Sequence, residues 1–510
     1  VKIQCGQAGK AAAGLRTLGW GEKLSPKVEV GKAADPFRTG IFQVCDLADR
    51  LLYSTRRKPM FICSTRMVLR WTLFVAAIFL APFADTSMQA HENNHGAHEV
   101  WMLDQSNTYD SDGNGSLDSG GTLYILNGNH LAGRAASKAR AEIINLGGAL
   151  AERVRSLTGS VPVRPHYITF NASGTHAIIS FVATGHVLII EAASRRPVFV
   201  VDVGTQAHAA VPAPDETYIL VANQNGKLLQ RIRTNYETNS FLLDAAATLN
   251  LAAGTTPSGA LKEQAGVRPD NAPILALPDE NGPLAYVTLR GGGLFVVNAT
   301  TSPIEIVAEY TMNTIDPAGL LAIQQGRKLY FNSGGGGGAT LGFQSVLYTL
   351  PTRAFSTTPD VTPDTPAPFT VFDHQSRGAV DSHGLLLTKH QRYLWVADRA
   401  ANSVIVVNTK TDRVVNEIAL AGKVSDDPAP DLFALSPDGN RVYVTLRGPN
   451  PLTGNNPAVN NAKGSTPGLG VIRVTADGRH GVLQAVFPIS NVDSGGVERA
   501  DPHGVAMRLR

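Results

Sequence analysis

The sequence predicts an all-β protein, a single seven-bladed β-propeller over residues 98–510, closed by strands from both chain ends. Three observations carry this. Short runs rich in Val, Ile, Leu and Tyr alternate with Gly, Asn, Asp and Pro clusters, with almost no helical period. A strand, polar turn, strand phrase recurs roughly every 40 to 65 residues, followed each time by two more strands. The two termini supply complementary parts of one further repeat.

The first 84 residues stand outside this domain. Residues 1–66 hold 12 Lys/Arg against 5 Asp/Glu and show no hydrophobic periodicity. They read as an upstream, non-native extension. From Met67 a cationic start at Arg70 leads into an apolar run, Trp71 to Ala84, followed by polar Asp85-Thr86-Ser87. This is the pattern of a secretory signal peptide over 67–84, cut after Ala84 or Ala90, and it predicts a periplasmic or secreted protein. The run is short for a bilayer span, so no stable membrane span is expected after cleavage. Cys5, Cys45 and Cys63 all lie upstream. The exported portion is then free of cysteine, which excludes disulfides, thiolate catalysis, iron–sulfur ligation and covalent c-type haem. Residues 85–510 hold 32 Lys/Arg against 37 Asp/Glu, a mildly acidic balance that predicts no nucleic-acid partner.

Residues 85–97 read as a flexible, His-bearing N-terminus. The stretch His91-Glu-Asn-Asn-His95-Gly-Ala-His98 offers three imidazoles for metal capture, or forms a plain solvated tail.

Six blades then follow. The clearest is Phe433-Ala-Leu-Ser-Pro-Asp-Gly-Asn-Arg-Val-Tyr-Val-Thr-Leu446, with relatives beginning near Ile168, Ala210, Ile274, Leu320 and Leu385. The hexapeptide Tyr-Val-Thr-Leu-Arg-Gly occurs at both 286 and 443. Near the N-terminus, Glu99–Leu103, Thr122–Leu126 and Ala141–Leu146 provide three strands without a leading one, and Asp501–Arg508 provides a leading strand alone. Joining them makes the seventh blade and leaves no open sheet edge at the seam.

The Ser-Pro-Asp-Gly turn with Val442-Tyr443-Val444, and phrases such as Ser403-Val-Ile-Val-Val-Asn-Thr-Lys-Thr-Asp-Arg-Val-Val415, resemble the seven-bladed YVTN and lactonase-like propeller superfamily over nearly all of 98–510. That resemblance implies the fold and leaves activity open, because propellers host unrelated functions.

Aligned on their turns, the blades repeat one position just before each innermost strand: His503, His166, His208, Ala272, Ala318, His383 and Asp431. Taken around the ring, His383, Asp431, His503, His166 and His208 form an unbroken arc at one mouth of the channel. Imidazoles with a carboxylate suit Zn²⁺, or Cu²⁺; the alternative is turn packing or substrate binding. An export signal, a His-bearing N-terminus and histidines at the channel mouth are together similar to periplasmic zinc-chaperone propellers. This likeness implies zinc binding and delivery to a periplasmic protein partner.

Long insertions at 104–121, 332–343 and 447–468 are expected to wall that mouth. The glycine run after Asn332 lacks the Lys-Ser/Thr of a phosphate loop and reads as a flexible lid. Asp110, Asp112, Asn114 and Asp118 match oxygen positions of a calcium loop, with Gly121 where the bidentate Glu belongs, so weak Ca²⁺ binding competes with an ordinary hairpin turn. No Gly-x-Ser-x-Gly elbow or cysteine nucleophile appears after the signal. The leading expectation is a metal-binding protein without required catalysis. A lactonase-like hydrolase that also uses Arg290 and Arg447 on a small-molecule ligand, and a non-catalytic interaction scaffold, are the alternatives.

Overall fold

The computed structural model describes residues 97–336, 343–452 and 463–510. The signal segment, His91 and His95 lie outside them. Seven antiparallel sheets follow one another along the chain, six of four strands and one extended by the two-residue strand Leu249–Asn250. Blade 1 is assembled from both ends: Pro502–Leu509 pairs with His98–Asp104, which pairs with Thr122–Asn127 and then Ala141–Asn145. The innermost strands of blades 2 to 7 are Pro165–Phe170, Ala207–Pro212, Pro273–Pro278, Gly319–Gln325, Ser382–Leu387 and Pro430–Leu435. Each touches the next, and the last touches Pro502–Leu509, so the circle closes as the sequence predicts.

The core lies between blades, not within them. Ile178, Val187 and Ile189 of blade 2 pack on Ile219, Val221 and Ile232 of blade 3, and Trp395, Val404 and Val406 of blade 6 on Val442, Val444 and Ile472 of blade 7. Second strands such as Tyr218–Asn223 and Arg441–Leu446 are therefore buried at every residue, which is why they read as continuous apolar runs. Outer strands such as Arg196–Asp202 keep one side toward water.

At the seam, Glu99 is buried and receives Trp101 Nε1 at 3.0 Å, Arg195 Nη2 at 2.6 Å, Arg508 Nε at 2.7 Å and Arg510 Nε at 3.0 Å. Two of these arginines belong to the last three residues of the chain, so the carboxylate ties the C-terminal strand into blade 1. Burial pushes the carboxyl up, but Arg195, Trp101 and Arg508 outweigh it and hold the pKa at about 2.

One α-helix, Gly148–Thr158, joins blade 1 to blade 2. The sequence reading does not contain it. Only Ala151 and Val154 of its eleven residues are buried, too few to impose a helical period, and Gly159 ends it in the left-handed region at φ 92°.

Candidate functional site

One backbone hydrogen bond repeats in all seven blades and sets their alignment. The N–H of the residue after the second strand, or in blade 5 of Gly334 within Lys328–Gly336, donates to the carbonyl of the residue before the first: Gln105 to Asp501, Val182 to Arg164, Gln224 to Gln206, Arg290 to Ala272, Gly334 to Ala318, Arg399 to Asp381 and Arg447 to Ala429. Two residues beyond each acceptor the ladder slips. The slips fall between Pro165 and Tyr167, Ala207 and Ala209, Pro273 and Leu275, Gly319 and Ala322, Ser382 and Leu385, and Pro430 and Phe433, and opposite Met102 to Asp104 in blade 1. A β-bulge redirects the side chain it carries. The bulge residues at this point are His503, His166, His208, Ile274, Leu320, His383 and Asp431.

This corrects two ring positions. Ala272 and Ala318 precede the bulges, which are filled by Ile274 and Leu320. The Asp270-Asn-Ala272 and Asp316-Pro-Ala318 phrases imitate Asp381-Ser-His383 and Asp501-Pro-His503 but stand two residues early. The ring therefore has a polar arc of five and an apolar arc of two. Each of four bulge carbonyls accepts from a side chain of the preceding blade: Ser180 Oγ to His208 at 3.0 Å, Thr288 Oγ1 to Leu320 at 2.6 Å, Asn332 Nδ2 to His383 at 3.0 Å and Thr445 Oγ1 to His503 at 2.7 Å. The repeated hexapeptide thus supplies a threonine latch, Thr288 or Thr445, and an arginine, Arg290 or Arg447, two residues on.

The five polar ring residues form one chain of contacts, and three of them converge. His166 stacks on His503 with ring centroids 3.7 Å apart, meets His208 edge-on at 4.5 Å, and His503 meets His383 edge-on at 5.3 Å. Asp431 Oδ1 lies 3.4 Å from His383 Nε2, and its Oδ2 lies 3.7 Å from His503 Nε2. Among the described residues, His383, Asp431 and His503 are the three whose ligand atoms fall within 4.8 Å of one another. His166, His383, His503 and Asp431 are at most 4% exposed; His208 is partly open.

Two buried arginines frame the carboxylate. Arg447 donates Nη1 to Asp431 at 2.6 Å and grips Asp501 through Nε at 2.6 Å and Nη2 at 2.8 Å. Arg399 grips Asp381 at 2.9 and 3.0 Å and stands 3.6 Å from Asp431 Oδ1. Burial pushes the Asp431 carboxyl up, yet His383, His503, Arg399 and Arg447 hold it well below the usual range. Asp381 rises to about 6 because its burial outweighs Arg399.

The imidazoles are held neutral and oriented. Gln105 Nε2 donates to Asp501 Oδ2 at 3.1 Å; a carboxylate only accepts, so the Gln105 oxygen faces His166 Nδ1 at 2.8 Å and that nitrogen carries the proton. His503 Nδ1 donates to the His166 carbonyl at 3.0 Å. Left over are His166 Nε2, His503 Nε2, His208 Nδ1, His383 Nδ1 and Asp431 Oδ1, all buried without a hydrogen-bond partner. Burial lowers every one of these histidines, His208 to about 4, His503 to about 3, and His166 and His383 well below normal. In His166 and His503 a neutral ring with one nitrogen tied to an acceptor and the other bare is how imidazole is prepared for a metal, whereas His383 leaves Nδ1 bare and turns Nε2 toward Asp431.

The remaining candidates stand elsewhere. His98 is not in a flexible tract: it opens the blade 1 strand, fully buried, with Nε2 2.8 Å from Tyr443 Oη. Asp110 and Asp112 accept from the backbone of Gly113, Asn114 and Gly115, Asn114 Oδ1 accepts from the Ser116 N–H, and Asp118 accepts from Ser111 in a hairpin turn. Arg290 pairs with Asp270. Sequence reasoning missed Gln105, Arg399, Asp381 and Asp501; the signal was the Asp-x-His spacing at 381 and 501.

No protein-family model and no curated protein matches the chain. Solved structures do. A protein from Lactobacillus plantarum is similar at 13% identity and TM-score 0.50, over 81% of this chain and 99% of that one. A putative 6-phosphogluconolactonase from Bacteroides fragilis is similar at 12% and 0.46, over 80% and 98%, and the periplasmic gluconolactonase of Pseudomonas aeruginosa at 14% and 0.46, over 76% and 97%. At these identities the likeness concerns the fold, a seven-bladed β-propeller with lactonase-like neighbours. These neighbours do not show the likeness to zinc-chaperone propellers that the export signal, the His-bearing N-terminus and the channel-mouth histidines suggest.

Proposed function

We propose that the protein is an exported metal-binding propeller that holds a divalent ion of the zinc class at its axis through His383, Asp431 and His503. The observation that carries this reading is the spacing of their ligand atoms. Nitrogen and oxygen ligands around a tetrahedral zinc stand about 3.3 to 3.6 Å apart, given bonds of about 2.0 to 2.2 Å; His383 Nε2 stands 3.4 Å from Asp431 Oδ1, His503 Nε2 stands 3.7 Å from the other oxygen, Oδ2, and one ligand atom from each of the three residues lies within 4.8 Å of the others. Charge agrees: Asp381, Asp431 and Asp501 against Arg399 and Arg447 leave one negative charge for a cation to offset. Bare, buried nitrogens and a half-paired carboxylate oxygen are costly unless something else meets them.

Metal analysis of the purified protein tests the proposal. One zinc per chain is expected, together with visible absorption when Co²⁺ replaces it, and both vanish in a His383→Ala, His503→Ala double variant. A wild-type protein that emerges from zinc-supplemented buffer without metal, and takes up no Co²⁺, overturns it.

A second reading is a lactone-opening hydrolase at the same place, favoured by the fact that three converging ligands leave a fourth position open, as catalytic zinc sites do. Turnover abolished by chelation would support it, and turnover indifferent to chelation would detach the activity from this cluster. Delivery of the ion to a protein partner, the chaperone form of the first reading, requires a route out of an enclosure whose ligands are almost wholly buried.

A further inference from the structure

The ring that supplies the three converging ligands carries two more imidazoles that do not join them. Resting on the axial metal reading above, we infer that His208 and His166 form an outer, weaker station for the same divalent ion, through which the axial site is loaded and emptied. Four observations place them there. His208 is the one member of the polar arc that is partly open to solvent. The rings run along the arc from it in unbroken contact, His208 to His166 to His503 to His383. His208 Nδ1 and His166 Nε2 are bare and buried, and the opposite side of the His166 ring is already committed to Gln105. Neither belongs to the converging set of His383, Asp431 and His503.

Affinity then rises along the arc, toward His503, Asp431 and His383, for a simple reason. Two neutral imidazoles offer no charge, whereas the inner site adds a carboxylate to two imidazoles. An ion captured at His208 gains at each step, and the apolar arc of Ile274 and Leu320 offers it no competing ligand. Without the outer pair the axial ligands would have to collect the ion directly through a buried ring.

The test uses the full-length protein, Co²⁺ as the probe, and stopped-flow absorption. His208→Ala should slow both uptake and chelator-driven release by about tenfold or more, leaving one Co²⁺ per chain and its equilibrium affinity within about threefold of wild type. His166→Gln should do the same, and far-ultraviolet circular dichroism with the retained Co²⁺ bands shows that either variant is folded. Uptake and release at wild-type rates in both variants overturn the inference while leaving the axial reading intact. Loss of stoichiometric binding in His208→Ala also overturns it, by making His208 a ligand of the inner site. A wild-type protein that takes up no Co²⁺ at all removes the axial reading and this inference with it.

Discussion

Glu99 at the seam and Asp431 at the axis are both buried carboxylates flanked by arginines, and they are finished differently. Glu99 at the seam has both oxygens met by donors from Trp101, Arg195, Arg508 and Arg510. Asp431 at the axis has Oδ2 bonded to Arg447, while Oδ1 has no hydrogen-bond partner and sees Arg399 only at 3.6 Å. Around Glu99 every nearby group is satisfied. Around Asp431 four imidazoles also present unpartnered atoms. A fully satisfied network specifies structure; a cluster that leaves several orphans in one place is shaped for something not yet in it.

The contrast is broken most severely by Glu99→Gln. Removing one partner of a buried ion pair costs about 3 to 5 kcal/mol, and the lower end applies because Arg510 reaches water. Urea unfolding should therefore show a loss near 3 kcal/mol, with Co²⁺ affinity at the axis unchanged. Zinc at about a hundredfold its dissociation constant adds about 2.7 kcal/mol to any protein that binds it only when folded. Glu99→Gln should gain that increment as wild type does, and the His383→Ala, His503→Ala double variant should gain nothing. A seam variant that also loses zinc stabilisation would mean that the two regions are coupled.

Acid separates the regions next. In the metal-free protein, His208 and His503 stay neutral when folded down to about 4 and 3, whereas in the unfolded chain they take up protons near 6.5. The unfolded state thus binds more protons below 6.5, so stability is complete above that pH and falls as pH drops, by at most about 1.4 kcal/mol per pH unit for each imidazole. Glu99 moves in the same direction but over a lower window. Its contribution is complete above about 4.5 and is lost as pH falls toward 2. Stability between pH 6.5 and 4.5 should therefore fall less steeply in a His208→Gln, His503→Gln variant, where His166 and His383 supply the remaining slope, and keep its full slope in Glu99→Gln. Equal slopes in all three proteins would place the titrating groups elsewhere.

How much of this was legible beforehand follows from the range of the physics involved. Blade count, closure by both termini and the five polar ring residues were readable because strand periodicity and turn chemistry are local and repeat. The apolar arc of the ring was misread by two residues, since a bulge is a property of pairing between strands and leaves no local mark, and Asp270-Asn-Ala272 imitates the phrase that precedes a true ring histidine. His98 looked like one of three tail histidines because nothing nearby in sequence announces Tyr443, 345 residues away. Gln105 was invisible for the same reason: its role depends on Asp501 and His166, which only ring closure brings to it.

The smallest predicted effects compare the two copies of the hexapeptide. Thr288 Oγ1 accepts from the Leu275 N–H at 3.2 Å and donates to the Leu320 carbonyl; Thr445 Oγ1 accepts from the Leu432 N–H at 3.0 Å and donates to the His503 carbonyl. Valine keeps the shape and removes both bonds, which costs about 1 to 2 kcal/mol in either place. The chemistry lost is identical, but the neighbours are not. Leu320 belongs to the apolar arc, while His503 supplies a ligand atom. Thr288→Val and Thr445→Val should therefore be equally destabilised in urea, with Co²⁺ titration weakened about tenfold in Thr445→Val alone. Equal weakening in both would show that the seven bulges shift together, so that the ring and not the individual latch sets the geometry of the axis.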